Sequence, residues 1–471
     1  LNKPKAQTRR VTSPEDRVTL GQKYAFGCGS AASNFAINAP KALVPPVFQM
    51  HLGLSPALVG LALALPRVWD AFTDPVMGLI SDNTRTRWGR RRPWIFLGAI
   101  LTGLAFAGLW WIPGSLSGMP LFLFLLGMLL LLYTCVTVFS IPWFSLLPEM
   151  SADYHERTRV AAVSSFMNKL SGIGVQWTFA FTQIALFPST LVGARALGIA
   201  GGAAIIALGV IPAVVCREKL YKVAQSQLKI PFLKAMKQAL SNAEFLRLAS
   251  VQLFMLLGLM MVNSLGMYVI VYYAFKGDMA AGSILTGWVG TANHAMGALS
   301  LPLFSLLSTR LGKRGALRIA LTSAFLGMLS YWFLLTPEIP YLFLLTTLLY
   351  GPGLTSPFML IPSMLSDVID KDELHTGLRR EALYTSVMGW IQKLSVSVAF
   401  LMSGAVIEWS GFDAELGGAQ SEETFTTMRL MLTLIPAVSL SAGFVFLKKY
   451  SISENDAYKT RRELERRRGK A

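Results

Sequence analysis

Two carboxylates, Asp70 and Asp74, stand four residues apart inside the apolar stretch PRVWDAFTDPVMG. That spacing puts both on one face of a helix. Like charges that close repel unless a cation or a proton relieves them, so the pair reads as a site for Na⁺ or H⁺. Pro75 follows at once and frees a backbone carbonyl for coordination. The same residues also allow a buried ion-pair network with Arg67 or Lys393. A charged side chain inside a membrane helix costs about 2.5–3.5 kcal/mol on insertion scales, so each one needs a reason. Lys393 lies about a dozen residues inside its apolar segment, too deep for easy escape to the surface, and Asp70 or Asp74 is its candidate partner. Lys169, within SSFMNKLSG, can hold an anionic group of a substrate. It can equally face an aqueous cavity or pair with an acid of the second helix.

Weaker polar signals accompany these. Asn34 and Asn38 share one helix face, and Thr137 and Ser140 share one segment. Gln176 and Trp177, Asn263 and Tyr268, and Asn293 and His294 lie in others. Of these, Asn34, Asn38, Ser140, Trp177, Asn263 and Asn293 join Lys169 as candidate substrate contacts. Each can also bond across helices with no further role, and a lone histidine such as His294 is more often structural.

The elements that position these residues are membrane helices. Of 471 residues, 53% are hydrophobic and 15% charged, against nearer a quarter charged in soluble domains. The mean hydropathy is +0.50. Windows of roughly 20 apolar residues predict twelve spans, at 21–48, 55–80, 93–112, 119–147, 159–187, 192–215, 245–275, 282–308, 316–335, 340–365, 382–409 and 425–447. The net charge of +17 gathers in alternate loops, which reads as a topology signal rather than nucleic-acid binding. The basic loops and both termini are then expected in the cytoplasm. The segment 216–244 is the longest polar interruption and divides the helices six and six, with a polar tail at 1–20, bundles at 21–215 and 245–447, and a basic tail at 448–471. Two six-helix halves about a central linker are the major facilitator plan.

An internal repeat supports this division. SDNTRTRWGRRR lies between helices 2 and 3, and TRLGKR lies between helices 8 and 9. Glycine permits the tight turn, and the cations can cap helix C-termini or meet acidic lipids. Asp82, Arg85, Gly89, Arg90 and Arg91 are accordingly candidate gating residues. Three widely spaced cysteines suggest neither a disulfide framework nor a zinc site, and four scattered histidines form no HxxxH pair. No catalytic cluster is visible, so an enzyme is not expected. Leu1–Leu20 lacks the apolar core of a cleavable signal peptide. Short loops without an N-x-[ST] sequon fit a bacterial inner membrane.

Three segments carry a family resemblance. WDAFTDPVMG continues into SDNTRTRWGRRRPW, SDVID precedes TGLRRE and Lys393, and FSIPWFSLLP forms the third. Together they resemble the glycoside–pentoside–hexuronide:cation symporters, of the melibiose-carrier type, across the whole chain. A more distant likeness to sucrose and lysolipid carriers lies in GRRRPW and the helix-2 acids. The resemblance implies a cation site of Asp70, Asp74, Thr137 and Lys393, with Thr73 contributing. It also locates the galactoside contacts of the family at Asn34, Ser140 and Ser165. All three are uncharged here where the family has two Asp and an Arg, while Lys169 is new one turn on. The expected protein is a monomeric, all-α, twelve-helix secondary transporter. It would couple Na⁺ or H⁺ to a sugar-like small solute, neutral or anionic, by alternating access and need no cofactor beyond Na⁺. A carrier of an amphiphile or lysolipid, or an uncoupled facilitator or exporter, is the alternative on the same fold.

Overall fold

The computed structural model describes residues 17–151, 154–218, 237–378, 380–413 and 416–467, without the side chains at 154, 155, 263, 264 and 382. The helices run α1 (Leu20–Val44, extended by a π-helical turn Pro45–His51), α2 (Pro56–Asn83), α3 (Arg92–Gly108), α4 (Gly118–Phe144), α5 (Tyr154–Gln176) and α6 (Thr190–Val215). After the central segment come α7 (Ala243–Tyr268, with a π-helical turn Val269–Ala274) and the run Met279–Leu334. That run is not one rod. Gly312 has φ 72° and ψ 162°, which breaks it into α8 (279–311) and α9 (313–334). Only glycine adopts such a backbone cheaply, and it is the glycine of the TRLGKR motif. Both arms pack on one helix: a Cβ on Gly351 would lie 2.9 Å from the Asn293 carbonyl of α8, and one on Gly353 would lie 2.5 Å from Ala324 of α9. The arms therefore form a hairpin.

That shared neighbour is α10, which starts as a 3₁₀ turn (Pro340–Thr346) and continues through Thr347–Thr355 and Pro357–Thr376. Then follow α11 (Glu381–Trp409), α12 (Glu422–Lys449) and α13 (Glu454–Arg467). The last is a surface helix within the segment expected only as a basic tail. Its start is a reciprocal cap: the Ser453 N–H donates to Asp456 Oδ2 (3.1 Å) and the Asp456 N–H to Ser453 Oγ (3.2 Å). Leu464 is its buried apolar anchor.

Seven described runs are long and apolar enough to cross a membrane: α4, α6, α7, α8–α9, α10, α11 and α12. The shorter α3 is also apolar. The helices outside that set, α1, α2 and α5, hold Lys41, Arg67, Asp70, Asp74 and Lys169. Helices that carry charge at membrane depth face the bundle interior or a cavity rather than lipid. Buried side chains of the first half form most of two clusters, around Phe48, Trp110 and Tyr133 (joined by Phe400) and around Phe26, Phe139 and Trp143, while Phe179 joins the cluster of the second half. The latter lies around Tyr268, Tyr350 and Tyr384. Small residues let the helices of each half touch backbone to backbone. A Cβ on Gly98 would lie 2.6 Å from the Phe139 N of α4, and one on Gly103 would lie 2.5 Å from the Gly202 carbonyl of α6.

The two repeated loops make matching contacts. Arg92 donates to the last carbonyls of α6, Ala213 (2.5 Å) and Val214 (3.0 Å), while Arg314 donates to the Lys448 carbonyl near the end of α12 (2.7 Å). Arg90 and Arg91 pair with Glu149 just after α4 (2.5 and 2.6 Å), and Lys313 pairs with Asp367 in α10 (2.7 Å). Each loop thus caps the last helix of its own half and neutralises an acid at the end of that half's fourth helix.

Candidate functional site

The helix-2 acids project where the two halves meet. Asp74 accepts from Lys393 Nζ of α11 through one oxygen and from Thr137 Oγ1 of α4 through the other (2.9 Å). One carboxylate so ties three helices and both halves together. It is partly open, with 24% of its side chain exposed, as is the lysine at 33%. Asp70, one turn away, is 5% exposed. It accepts from Arg67 Nη1 at 3.1 Å, and the guanidinium lies 3.9 Å from the centre of the Tyr133 ring. The Tyr133 hydroxyl in turn donates to the Ile37 carbonyl of α1 (3.0 Å). Each acid therefore has its own cation, and the second oxygen of Asp70 has no hydrogen-bond partner among the described residues.

Thr73 does not join this group. Its hydroxyl bonds the Trp69 carbonyl of its own helix (3.3 Å). Trp69 reaches α4 instead, donating to Thr134 Oγ1 at 2.9 Å.

A second polar row runs along α1. Lys41 Nζ donates to Asn38 Oδ1 (2.8 Å), Asn38 Nδ2 to Asn34 Oδ1 (2.6 Å), and Asn34 Nδ2 to the Asn168 carbonyl of α5 (3.1 Å). Lys169 follows on α5, three residues before Gly172, where α5 meets His294 of α8. Gly172 leaves the space in which α1 and α8 converge. A Cβ there would lie 3.4 Å from His294 Cε1 and 3.6 Å from Asn34 Nδ2.

Of the other candidates, Ser140 is half-buried in α4 and Ser165 is exposed on α5. Trp177 donates to Thr291 Oγ1 (3.0 Å) and packs edge-on against Trp288. Asn293 is buried toward α10, away from α5, so its neighbour His294 is the residue turned to the other half. The Asn263 side chain lies outside the described residues.

The sequence reading passed over Lys41 and gave His294 little weight. A signal for the first was present: Lys41 is three residues beyond Asn38 and so extends the face already marked by Asn34 and Asn38.

The halves meet on the side away from the basic loops. There a Cβ on Gly60 of α2 would lie 2.6 Å from the Phe400 carbonyl, and one on Gly404 of α11 would lie 2.5 Å from the Pro56 carbonyl. Ser397 Oγ donates to the Ala64 carbonyl (2.9 Å), and the Tyr268 hydroxyl donates to Gln49 Oε1. Toward the basic loops the halves part. The face of α5 that touches α8 at Gln176 and Trp177 carries half-buried Lys169 lower down, then Ser165 and Phe166, the latter 64% exposed. Asp74, Lys393 and Lys169, all partly exposed, lie in the cleft between the halves, which opens to the basic side, while Arg67 and Asp70 are buried behind it.

At the mouth, Asp82 and Glu149 hold Arg90 and Arg91 (Asp82 to Arg91, 3.0 Å), while Arg85 is exposed. Gly89, at φ 111°, turns the chain so that the N–H groups of Arg90, Arg91 and Arg92 converge on the Glu218 carboxylate (2.9, 2.9 and 3.1 Å). A Cβ on Gly89 would lie 2.7 Å from that carboxylate.

Comparison with known proteins places these features in context. The model of the family described as MFS/sugar transport protein matches residues 25–454. A putative glycoside/cation symporter of Escherichia coli (strain K12) is 26% identical, with 93% of each chain covered. The sodium-dependent lysophosphatidylcholine symporter 1 of Gallus gallus is 23% identical over 98% of this chain and 92% of its own. Among solved structures, an inward-facing bacterial homologue of the lysosomal transporter Spinster superposes with a TM-score of 0.63 at 14% identity, covering 94% of this chain and 99% of its own. At that identity the likeness speaks for the fold.

Proposed function

The chain belongs to the MFS/sugar transport protein family, and from that premise we propose that it carries a small polar, sugar-like solute across the membrane in symport with Na⁺ or H⁺. As a major facilitator protein it is a multi-pass membrane transporter and not an enzyme. The observation that carries the coupling is the Asp74 carboxylate, held at once by Lys393 of one half and Thr137 of the other. A cation arriving at Asp74 competes with the Lys393 ammonium for the same oxygens. Its binding therefore alters a contact between the halves, which is what coupling to alternating access requires. Asp70, one turn away, would offer its unengaged oxygen as a further ligand, whereas Thr73 would first have to leave the Trp69 carbonyl. The solute would bind in the cleft among Asn34, Asn38, Ser140, Ser165, Lys169 and Trp177, and the arginine-rich loop would gate its mouth.

We place the protein in a bacterial inner membrane as a monomer, with the basic loops, the linker 216–244 and both termini in the cytoplasm, on the charge bias of the loops. The cleft then opens inward. The test is uptake by proteoliposomes of a panel of glycosides and a lysolipid under an imposed Na⁺ or H⁺ gradient. Accumulation of a glycoside that collapses with the gradient is expected. Gradient-independent equilibration, or uptake of the lysolipid alone, would favour the facilitator or amphiphile reading instead.

A further inference from the structure

The charges inside the cleft do not balance. Arg67 answers Asp70 and Lys393 answers Asp74. Lys41 and Lys169 remain, half-buried in α1 and α5, and neither has a carboxylate within salt-bridge distance among the described residues. Lys41 lies near enough to Asp70 to feel its charge, but it feels Arg67 as well. Two uncompensated ammonium groups at membrane depth are expensive, and such charges mark substrate or ion pathways.

The row between them is also polarised in one direction. An ammonium only donates, so Asn38 must turn its oxygen to Lys41 and its amide nitrogen to Asn34. Asn34 must then offer its own nitrogen to the Asn168 carbonyl. Every amide oxygen in the row is engaged, and each amide keeps an N–H to spare. The wall formed by α1 and α5 therefore presents donors and positive charge to the cleft.

We propose that this wall, Lys41–Asn38–Asn34 with Lys169, is an anion site, and that the transported solute brings the missing negative charge as a carboxylate, sulfonate or phosphate group. This rests on the symport reading above but concerns a different set of residues from the coupling acids. Lys169, beside the open end of the cleft, meets the anionic group. Lys41 is a positioning residue that fixes the amide row and adds to its potential.

The experiment measures binding to the purified full-length chain by thermal shift and titration. The probes are methyl glucoside, methyl glucuronide, inorganic sulfate and lysophosphatidylglycerol, at constant ionic strength, with Na⁺ present or replaced by choline and at two pH values. The glucuronide or the lysolipid should bind and the glucoside should not. Lys169→Gln should weaken the anionic probe roughly tenfold, and Lys41→Gln should weaken it less. Binding of the lysolipid but not the glucuronide would identify a lipid headgroup as the source of the anion. Sulfate that protects the wild type more than Lys169→Gln would locate the anionic group without an organic frame. A melting temperature of unliganded Lys169→Met equal to or above wild type would fit removal of an unpaired charge. A fall would mean a hidden carboxylate partner and would overturn the proposal. Equal binding of glucoside and glucuronide, equal losses for both in Lys169→Gln, or no anion-specific response at all would also overturn it. A Na⁺- or H⁺-dependent response without anion preference would leave the symport reading standing, and anion binding without cation linkage would do the reverse.

Discussion

At the scale of single residues, the two helix-2 acids look equivalent in the sequence but sit in different surroundings. Asp70 is sealed with Arg67 over the Tyr133 ring, whereas Asp74 is partly open and bridges the halves. Removing one partner of a buried pair leaves the other charge stranded, at a cost of about 3–5 kcal/mol. Asp70→Asn is therefore expected to lower the melting temperature clearly. Asp74→Asn should leave the fold nearly intact and reduce gradient-driven accumulation on the order of 10–100-fold, the usual span of a coupling energy. Melting curves and uptake measured on both variants check this. Equal melting losses, or undiminished accumulation in Asp74→Asn, would contradict it. The acids, Lys393 and Lys169 were legible because charge stands out in an apolar run. Which acid pairs with which cation was not, since spacing along a chain does not say which neighbouring helix arrives opposite. Lys41 was missed for a different reason: it lies near the end of a predicted span, where a lysine usually escapes to the surface.

At the scale of elements, the seam between α2 and α11 depends on two glycines. Their hydrogens face the backbone carbonyls of Phe400 and Pro56, at distances that no side chain could occupy. Gly404→Val should pry this seam apart. The expected result is loss of transport together with increased labelling of a cysteine placed at Ser55, beside the seam, in a background lacking Cys28, Cys135 and Cys216. Unchanged labelling with normal uptake would show that the seam tolerates bulk. Glycines of this kind carry no hydropathy or charge signal, so the sequence did not mark them. It did mark the helices, because long apolar windows are unambiguous, and the loop motif with Gly312 located the turn of the α8–α9 hairpin. It did not separate α13 from a basic tail. Charge dominates that segment, and its capping pair of Ser453 and Asp456 is a short signal among many serines and acids.

At the scale of the whole molecule, the basic loops share one face with the mouth of the cleft, and the halves touch on the other. If that face is cytoplasmic, a cysteine at exposed Arg85 should react with a membrane-impermeant maleimide only in inverted vesicles, and one at Ser117, beyond the opposite end of α3, only in intact cells. The reverse pattern would overturn the assigned orientation. The position of the glycine seam also sets a lever. Gly60 and Asp74 are 14 residues apart on α2, roughly 20 Å at 1.5 Å per residue. A tilt of about 10° between α2 and α11 around that crossing sweeps Asp74 by some ~4 Å, comparable to the whole reach of an ion pair. The Asp74–Lys393 contact is thus geared to the angle between the halves. About ten degrees of rocking are converted into making or breaking one bond, and an ion that displaces the lysine exerts its torque at the long end of the arm.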